Sequence, residues 1–426
     1  MTEIPDSNAP CCDDFRATSR RGFLRGSVAV GGAALVGVAH GTAFTETAYA
    51  ATGTADRVLV VLSMRGAADG LSLVVPHADP AYYAARPSIA VPADQLLARD
   101  AMFGLHPSLA PLLPLWQAGR MAAVHATGLP VPNRSHFSAM EEVEDADPGS
   151  PERIGWLNRL VGRNGTGSPL EAIQYGGGVP AMAVTGPQPT LSSSDVDSVW
   201  LAGPTEPDGA AARRAALRTA WAGSSGPLAN GMAATIDVVD EFAAVRAVPA
   251  APGHGAAYPA DDLGKALASA ARTIRADVGA EVITVDHGSW DHHTWIGTTA
   301  SGNLTSMAQV FARSVAAFFT DLGPLADRVT LVTISEFGRR VVENANGGLD
   351  HGHGNVMFLI GAGVRGGRYY GTWPGLTRTS DADLLVTTDY RQVLGEVVTT
   401  RLGASSAQVF PGFSPQDPAL GVMSSL

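Results

Sequence analysis

Four short apolar runs set the limits on what this chain can fold into. They are Arg57-Val-Leu-Val-Val-Leu-Ser63, Glu281-Val-Ile-Thr-Val-Asp286, Arg328-Val-Thr-Leu-Val-Thr-Ile334 and Asn355-Val-Met-Phe-Leu-Ile-Gly361. Runs this apolar and β-branched predict strands buried on both faces, as in a parallel sheet covered by helices. Helical patterns over 261–276, 304–322 and 388–402 alternate with the later runs. The order predicts an α/β protein with a mostly parallel central sheet and helices on both faces. Met121–Ala126 reads as a further strand, and 108–118, 135–145 and 152–163 as helices. Residues 165–260 carry less signal: loops rich in Gly, Pro and Ser, with Ala-rich helices near 208–222 and 228–247. That stretch is expected to be an insertion or cap on one domain spanning 51–426.

The first 50 residues read as an address. Arg20-Arg21 is followed by Gly22-Phe23-Leu24, then a Gly/Ala-rich apolar run, then Ala48-Tyr49-Ala50. This is the anatomy of a cleaved signal peptide, and the paired arginines resemble a twin-arginine export signal. The expectation is transit through the twin-arginine translocase to the cell envelope or the outside, with no stable membrane anchor, because the apolar run is weakly hydrophobic. Both cysteines, Cys11 and Cys12, fall within that leader. The mature chain would then lack disulfides, thiolate ligands and a cysteine nucleophile. A formal net charge of -11 excludes a general nucleic-acid binder, which needs a cationic face.

Polar residues gather where the strands are predicted to end. Asp286, His287, Trp290, Asp291, His292 and His293 follow one run; Ser335, Glu336 and Arg339 follow another. Asp350, His351 and His353 precede the last run, and Arg65 and Asp69 follow the first. Open α/β sheets place their sites at the carboxyl ends of strands. Imidazoles and carboxylates together suit Zn, Mn or a similar divalent ion, and without cysteine they are the strong ligands left. The alternative is that these are ordinary exposed loop histidines. Trp290 and Trp295 flank the densest cluster and are candidate walls of a ligand pocket.

A second candidate is Asn133-Arg134-Ser135-His136-Phe137, just ahead of a predicted helix. Ser135 there would lie in the amide and dipole field that favours a phosphate or sulfate group. A hydroxyl beside a metal can serve as nucleophile, and Arg134 can hold an oxyanion. Ser is equally an ordinary N-cap, and Ser138 with Glu141 forms a capping box that would start the helix later. The sequence contains no Gly-x-Ser-x-Gly elbow, Walker A loop or dinucleotide-binding glycine fingerprint.

Taken in order, the paired arginines, Leu62-Ser-Met-Arg-Gly-Ala-Ala-Asp-Gly-Leu71, Pro76-His-Ala-Asp-Pro-Ala-Tyr-Tyr83, Arg134-Ser-His-Phe137, Trp290-Asp-His-His293, Ser335-Glu-Phe-Gly-Arg339 and Asp350-His-Gly-His-Gly354 resemble a bacterial family of exported proteins of unknown function. That family is related to the alkaline-phosphatase-like superfamily, which includes sulfatases. The resemblance implies metal-assisted hydrolysis of a small anionic ester. It places Ser135 at the nucleophile position, with Arg65, Arg134 and Arg339 stabilising charge. Asp291, His293, Glu336, His351 or His353, with Asp69 and Asp350, would supply ligands for Zn, Mn or Ca. His136, His292 and Trp290 would contact substrate. Two departures stand out: Ser63-Met64-Arg65 replaces a metal-binding Asp after the first strand, and Ser335-Glu336 replaces an Asp-His pair. Without cysteine, a cysteine-derived formylglycine is excluded. These departures motivate a rival expectation, a non-catalytic exported binding protein with a degenerate metal site.

Overall fold

A computed structural model describes residues 54–424 apart from 162, 164–166, 178, 204 and 205. The leader, including Arg20 and Arg21, lies outside the described residues. In chain order the described strands are β1 (Val58–Met64), β2 (Val74–Val75), β3 (Gly104–Leu105), β4 (Met121–Gly128), β5 (Ala172–Tyr175), β6 (Leu191–Ser193), β7 (Val282–His287), β8 (Val329–Ile334), β9 (Asn355–Gly361), β10 (Tyr369–Tyr370) and β11 (Thr388–Asp389). The helices that matter below are α1 (His136–Asp145), α2 (Pro207–Trp221), α3 (Pro227–Glu241), α4 (Asp262–Ala276), α5 (Asn303–Leu322) and α6 (Tyr390–Leu402).

Nine of these strands form one sheet in the order β10-β4-β9-β8-β1-β7-β5-β6, with β11 also pairing β4. β1 lies at its centre, parallel to both β7 and β8. All seven of its residues are buried. Val58, Val60, Leu62 and Met64 face one core, and Leu59 and Val61 face the other. The run is therefore apolar throughout Val58–Leu62 because both of its faces leave water. Each such side chain contributes roughly 1.5–3 kcal/mol on burial. Leu267, Ala271 and Ile274 of α4 and Phe311, Val315 and Phe318 of α5 cover the first face. Ala139 and Val143 of α1 and Val393, Leu394, Val397 and Val398 of α6 cover the second. The expected α/β class, with helices on both faces of a mostly parallel sheet, is what the structure shows.

One exception to parallel pairing positions the site. β9 runs antiparallel to both β8 and β4. Its amino end therefore meets the same edge as the carboxyl ends of β1, β4, β7 and β8. Residues just before β9 join residues just after the other strands.

β5 and β6 fall inside 165–260 and extend the central sheet beyond β7. They are only four and three residues long, too short to give a strand signature. Residues 203–237 form a second compact unit, holding α2 and most of α3, with Arg218 and Asp237 paired at 2.7 Å. The helix expected over 228–247 ends at Glu241 and restarts as Ala243–Ala247.

Candidate metal centre

Gly66 makes the first close contact at the sheet edge. Its φ is +103°, and a Cβ there would lie 2.7 Å from the Asp291 amide nitrogen and 2.8 Å from that of Trp290. Only glycine permits both the backbone path and that approach. The turn after β1 thus packs directly on the loop after β7, and the Trp290 amide donates to the Arg65 carbonyl. A short antiparallel pairing of Arg339 with His351 brings the third segment in. Gly338 donates to the His353 carbonyl and Gly352 to the Gly338 carbonyl, each at 2.8 Å. A Cβ on Gly338 would come within 1.8 Å of the Gly354 oxygen, so this approach also depends on glycine.

Three imidazoles and one carboxylate converge there. The Nε2 atoms of His136 and His293 each lie 2.9 Å from Nε2 of His351. Asp291 Oδ1 lies 3.1 Å from His293 Nε2, 3.5 Å from His136 Nε2 and 3.6 Å from His351 Nε2. Every Nδ1 has a partner behind it. His136 Nδ1 meets Glu336 Oε1 at 2.9 Å, His293 Nδ1 meets Asp350 Oδ1 at 3.1 Å, and His351 Nδ1 meets the Arg134 carbonyl at 2.9 Å. An acceptor behind Nδ1 fixes the tautomer that leaves Nε2 facing inward, the usual arrangement behind metal-binding histidines. The four converging residues are partly open to solvent, with side-chain exposures from 22% to 43%.

The charges are unusual for a site without a cation. Burial lowers the affinity of His136 for a proton, but its bonds to Asp291 and Glu336 outweigh this and raise its pKa to about 9. The bond to Asp291 likewise raises His293, against burial. Burial pushes the Asp291 carboxyl up, but hydrogen bonds from His136, His293, His351 and Arg339 hold it far below the carboxylate range. Burial also pushes Glu336 up, and the bonds from His136 and the Gly66 amide bring it down. Protonated His136 thus supplies positive charge beside Asp291, at the place a divalent cation would take. A tetrahedral ion with bonds of about 2.0–2.1 Å sets its ligands roughly 3.3 Å apart. The separations of His351 from its two neighbouring rings and of Asp291 from all three, 2.9–3.6 Å, lie around that figure, and the ligand atoms of His136, Asp291 and His351 all lie within 4.8 Å of one another. Three imidazoles and one carboxylate fit Zn, Mn or Fe, and disfavour Ca, which takes oxygen ligands.

Several residues singled out in the sequence are used differently. Glu336 is 2% exposed and holds His136 and the Gly66 amide, so it stands behind an imidazole of the cluster. Asp350 does the same for His293. Asp69 is 1% exposed and forms a double hydrogen bond with the fully buried Arg86. His353 Nε2 meets the Leu129 carbonyl at 2.8 Å, so of the two late histidines His351 joins the cluster. His292 and Trp290 are buried against each other and cannot face a solvent-borne substrate.

The arginines are committed as well. Arg65 pairs with Glu144 and Asp286. The Arg134 side chain pairs with Asp383. Arg339 is 2% exposed and donates to the Ala67, Gly66 and Leu349 carbonyls and to Asp291 Oδ1, so it orients Asp291. Ser135 is exposed at the N-cap of α1, with no hydrogen bond from its side chain to the helix. The helix begins at His136, ahead of the Ser138–Glu141 capping box. His136, expected near substrate, is a member of the cluster. Its local signal was a lone histidine at a helix start, and only the contact with Glu336 and His351 reveals its place.

A family model described as "Protein of unknown function (DUF1501)" matches residues 55–395. The chain belongs to this family. The matched span contains every residue of the cluster. No curated relative matches the chain. Among solved structures, the C-terminal periplasmic domain of EcEptC from Escherichia coli, in complex with Zn, aligns at 9% identity over 74% of this chain and 77% of its own, with a TM-score of 0.33. The lipoteichoic acid synthase LtaP from Listeria monocytogenes aligns at 9% identity over 91% of this chain and 80% of its own, with a TM-score of 0.36. Among the described residues, no helix is long and apolar enough to cross a membrane.

Proposed function

We propose that this protein is an exported metal-dependent hydrolase of phosphate or sulfate esters. The observation carrying the reading is the convergence of three Nε2 atoms on Asp291, with an acceptor behind every Nδ1. His136, Asp291, His293 and His351 would hold the ion. Bound there, a divalent ion supplies Lewis-acid polarisation of an ester oxygen. The chain's own contribution is to place the attacking group and the anion. Ser135 sits between Arg134, whose carbonyl orients His351, and His136 itself. Its hydroxyl, or a water in its place, is the proposed nucleophile. Attack by the Ser135 oxygen would form a seryl ester and break the bond to the alcohol, which leaves with the hydroxyl proton, and water would then cleave the seryl ester; attack by water would give the alcohol and the anion directly, in either case beside the first turn of α1, whose amides favour negative charge. Export rests on Arg20-Arg21 and the apolar run after them.

One observation favours a second reading. Arg65, Arg134 and Arg339 are all paired with carboxylates. A hydrolase of anionic esters commonly keeps an arginine for the transferring group. A binding protein with a structural ion would not need one.

The test is an assay of the mature chain, loaded with Zn or Mn, on aryl phosphates, phosphodiesters and aryl sulfates. Turnover that EDTA abolishes, and that His351→Ala removes, is the expected result. A loaded protein whose melting temperature rises with Zn but which turns over none of the panel would establish the binding reading instead.

A further inference from the structure

Trp295 is an anomaly in the loop after β7. Its φ is +44°, a left-handed conformation that bulky side chains rarely adopt. It is also 64% exposed, so its indole gains little from the core. The strained backbone is held by neighbours. The Trp295 amide donates to the Asn346 carbonyl at 3.2 Å, and its carbonyl accepts from Asn303 at 3.3 Å. Strain maintained in this way tends to mark functional positions. Here it lies two residues past His293, against the loop whose Asn344 donates to the His293 carbonyl and whose Asp350 holds the His293 ring. Glycine would satisfy this backbone at no cost, yet the chain presents a large aromatic ring to water.

Among the described residues, seven large apolar side chains are exposed, and two of them, Phe137 and Trp295, lie within two residues of a cluster histidine in sequence. Phe137 follows His136 and is 75% exposed; Val131 and Leu385 flank the Arg134–Asp383 pair. Trp290, the other tryptophan of the loop, is fully buried. The two indoles therefore have different uses.

We propose that Trp295 is a substrate-contacting residue, and that the ester handled at this site carries an aromatic or similarly flat apolar group that packs on the indole. This rests on the hydrolase reading for the anionic half of the ligand. The metal cluster would take the phosphate or sulfate, and Trp295 the apolar remainder. Packing a phenyl ring on an indole contributes on the scale of about tenfold in affinity or more.

The experiment measures binding to Zn-loaded mature chain of phenylphosphonate and methylphosphonate, neither of which it can hydrolyse as an ester. Tryptophan fluorescence reports the complex, and calorimetry confirms it. The wild type should bind phenylphosphonate at least about tenfold more tightly. Trp295→Gly should reduce that preference below about threefold while leaving the melting temperature unchanged or raised, because it relieves the positive φ. Trp295→Phe should keep most of the preference. A preference that survives in Trp295→Gly, or a wild type with none, overturns the proposal. Equal turnover of aryl and alkyl phosphates would overturn it while leaving the hydrolase reading standing. Discrimination between the phosphonates without turnover of any ester would uphold the aromatic subsite and remove the hydrolase.

Discussion

Glu336 Oε1 lies 2.9 Å from Nδ1 of His136, and the same oxygen accepts the Gly66 amide at 2.7 Å. One buried carboxylate therefore orients an imidazole of the cluster and fastens the turn after β1 to the loop after β8. Its position beside the cluster, rather than in it, leads to the first prediction. Glu336→Gln keeps an acceptor for Gly66 but weakens the hold on His136. Zn affinity, measured by competition with a chelating dye, should fall about 10- to 100-fold, as for other partners behind metal-binding histidines. A variant that loses bound Zn altogether would mark Glu336 as a ligand.

Asp69 serves the opposite purpose. With Arg86 it forms a pair in which neither side chain is more than 1% exposed. Asp69→Asn leaves a buried guanidinium without its counter-charge, which costs about 3–5 kcal/mol. Urea unfolding should show that loss, while the Zn stoichiometry of the folded fraction stays as in the wild type. A stable Asp69→Asn protein with one Zn fewer would restore the earlier expectation of a ligand.

Gly66→Ala tests the close approach on which the cluster depends. The added Cβ would meet the backbone of Trp290 and Asp291, and the residue would retain φ +103°. The expected loss of stability is more than about 1 kcal/mol. Because Asp291 itself must shift, Zn affinity should fall together with the melting temperature. Unchanged affinity in a destabilised variant would separate the turn from the site.

Acid sensitivity should come from histidines outside the cluster. Burial lowers His106, His125 and His287 to about 4, from an ordinary value of 6.5. Each folded-state value is depressed, so the unfolded chain takes up protons that the fold refuses below pH 6.5. The stability these residues allow is present above about 6.5 and is lost as pH falls toward 4, by about 1.4 kcal/mol per unit for each group. His136 acts at the other end. Its folded value is raised to about 9, so in metal-free protein its contribution is complete below 6.5 and is lost as pH rises through 9. Denaturant unfolding of metal-free protein from pH 4.5 to 7.5 should show the acid limb. His125→Phe, set between Phe103 and Trp373, should flatten it by one histidine's worth. An unaltered slope would remove His125 from that account.

The sequence by itself determined the layers of this fold and the edge where its polar residues collect. A run such as Val58–Leu62 is apolar at every position only if both faces are to be covered, and the clusters after β7 and β8 mark where those strands end. What the tertiary structure alone decided was the use of each polar residue. Asp69, Asp291 and Glu336 look alike in the chain, each an acid just past a strand. Folding sets Asp69 against Arg86, Glu336 behind His136, and Asp291 among three Nε2 atoms. His351 rather than His353 enters the cluster because β9 runs antiparallel and Arg339 pairs with His351. The arginines expected to meet a substrate instead met Glu144, Asp383 and Asp291. A local pattern records how a residue is built and how deep it lies; its partner comes from a distant segment, and in a charged cluster the partner decides the chemistry.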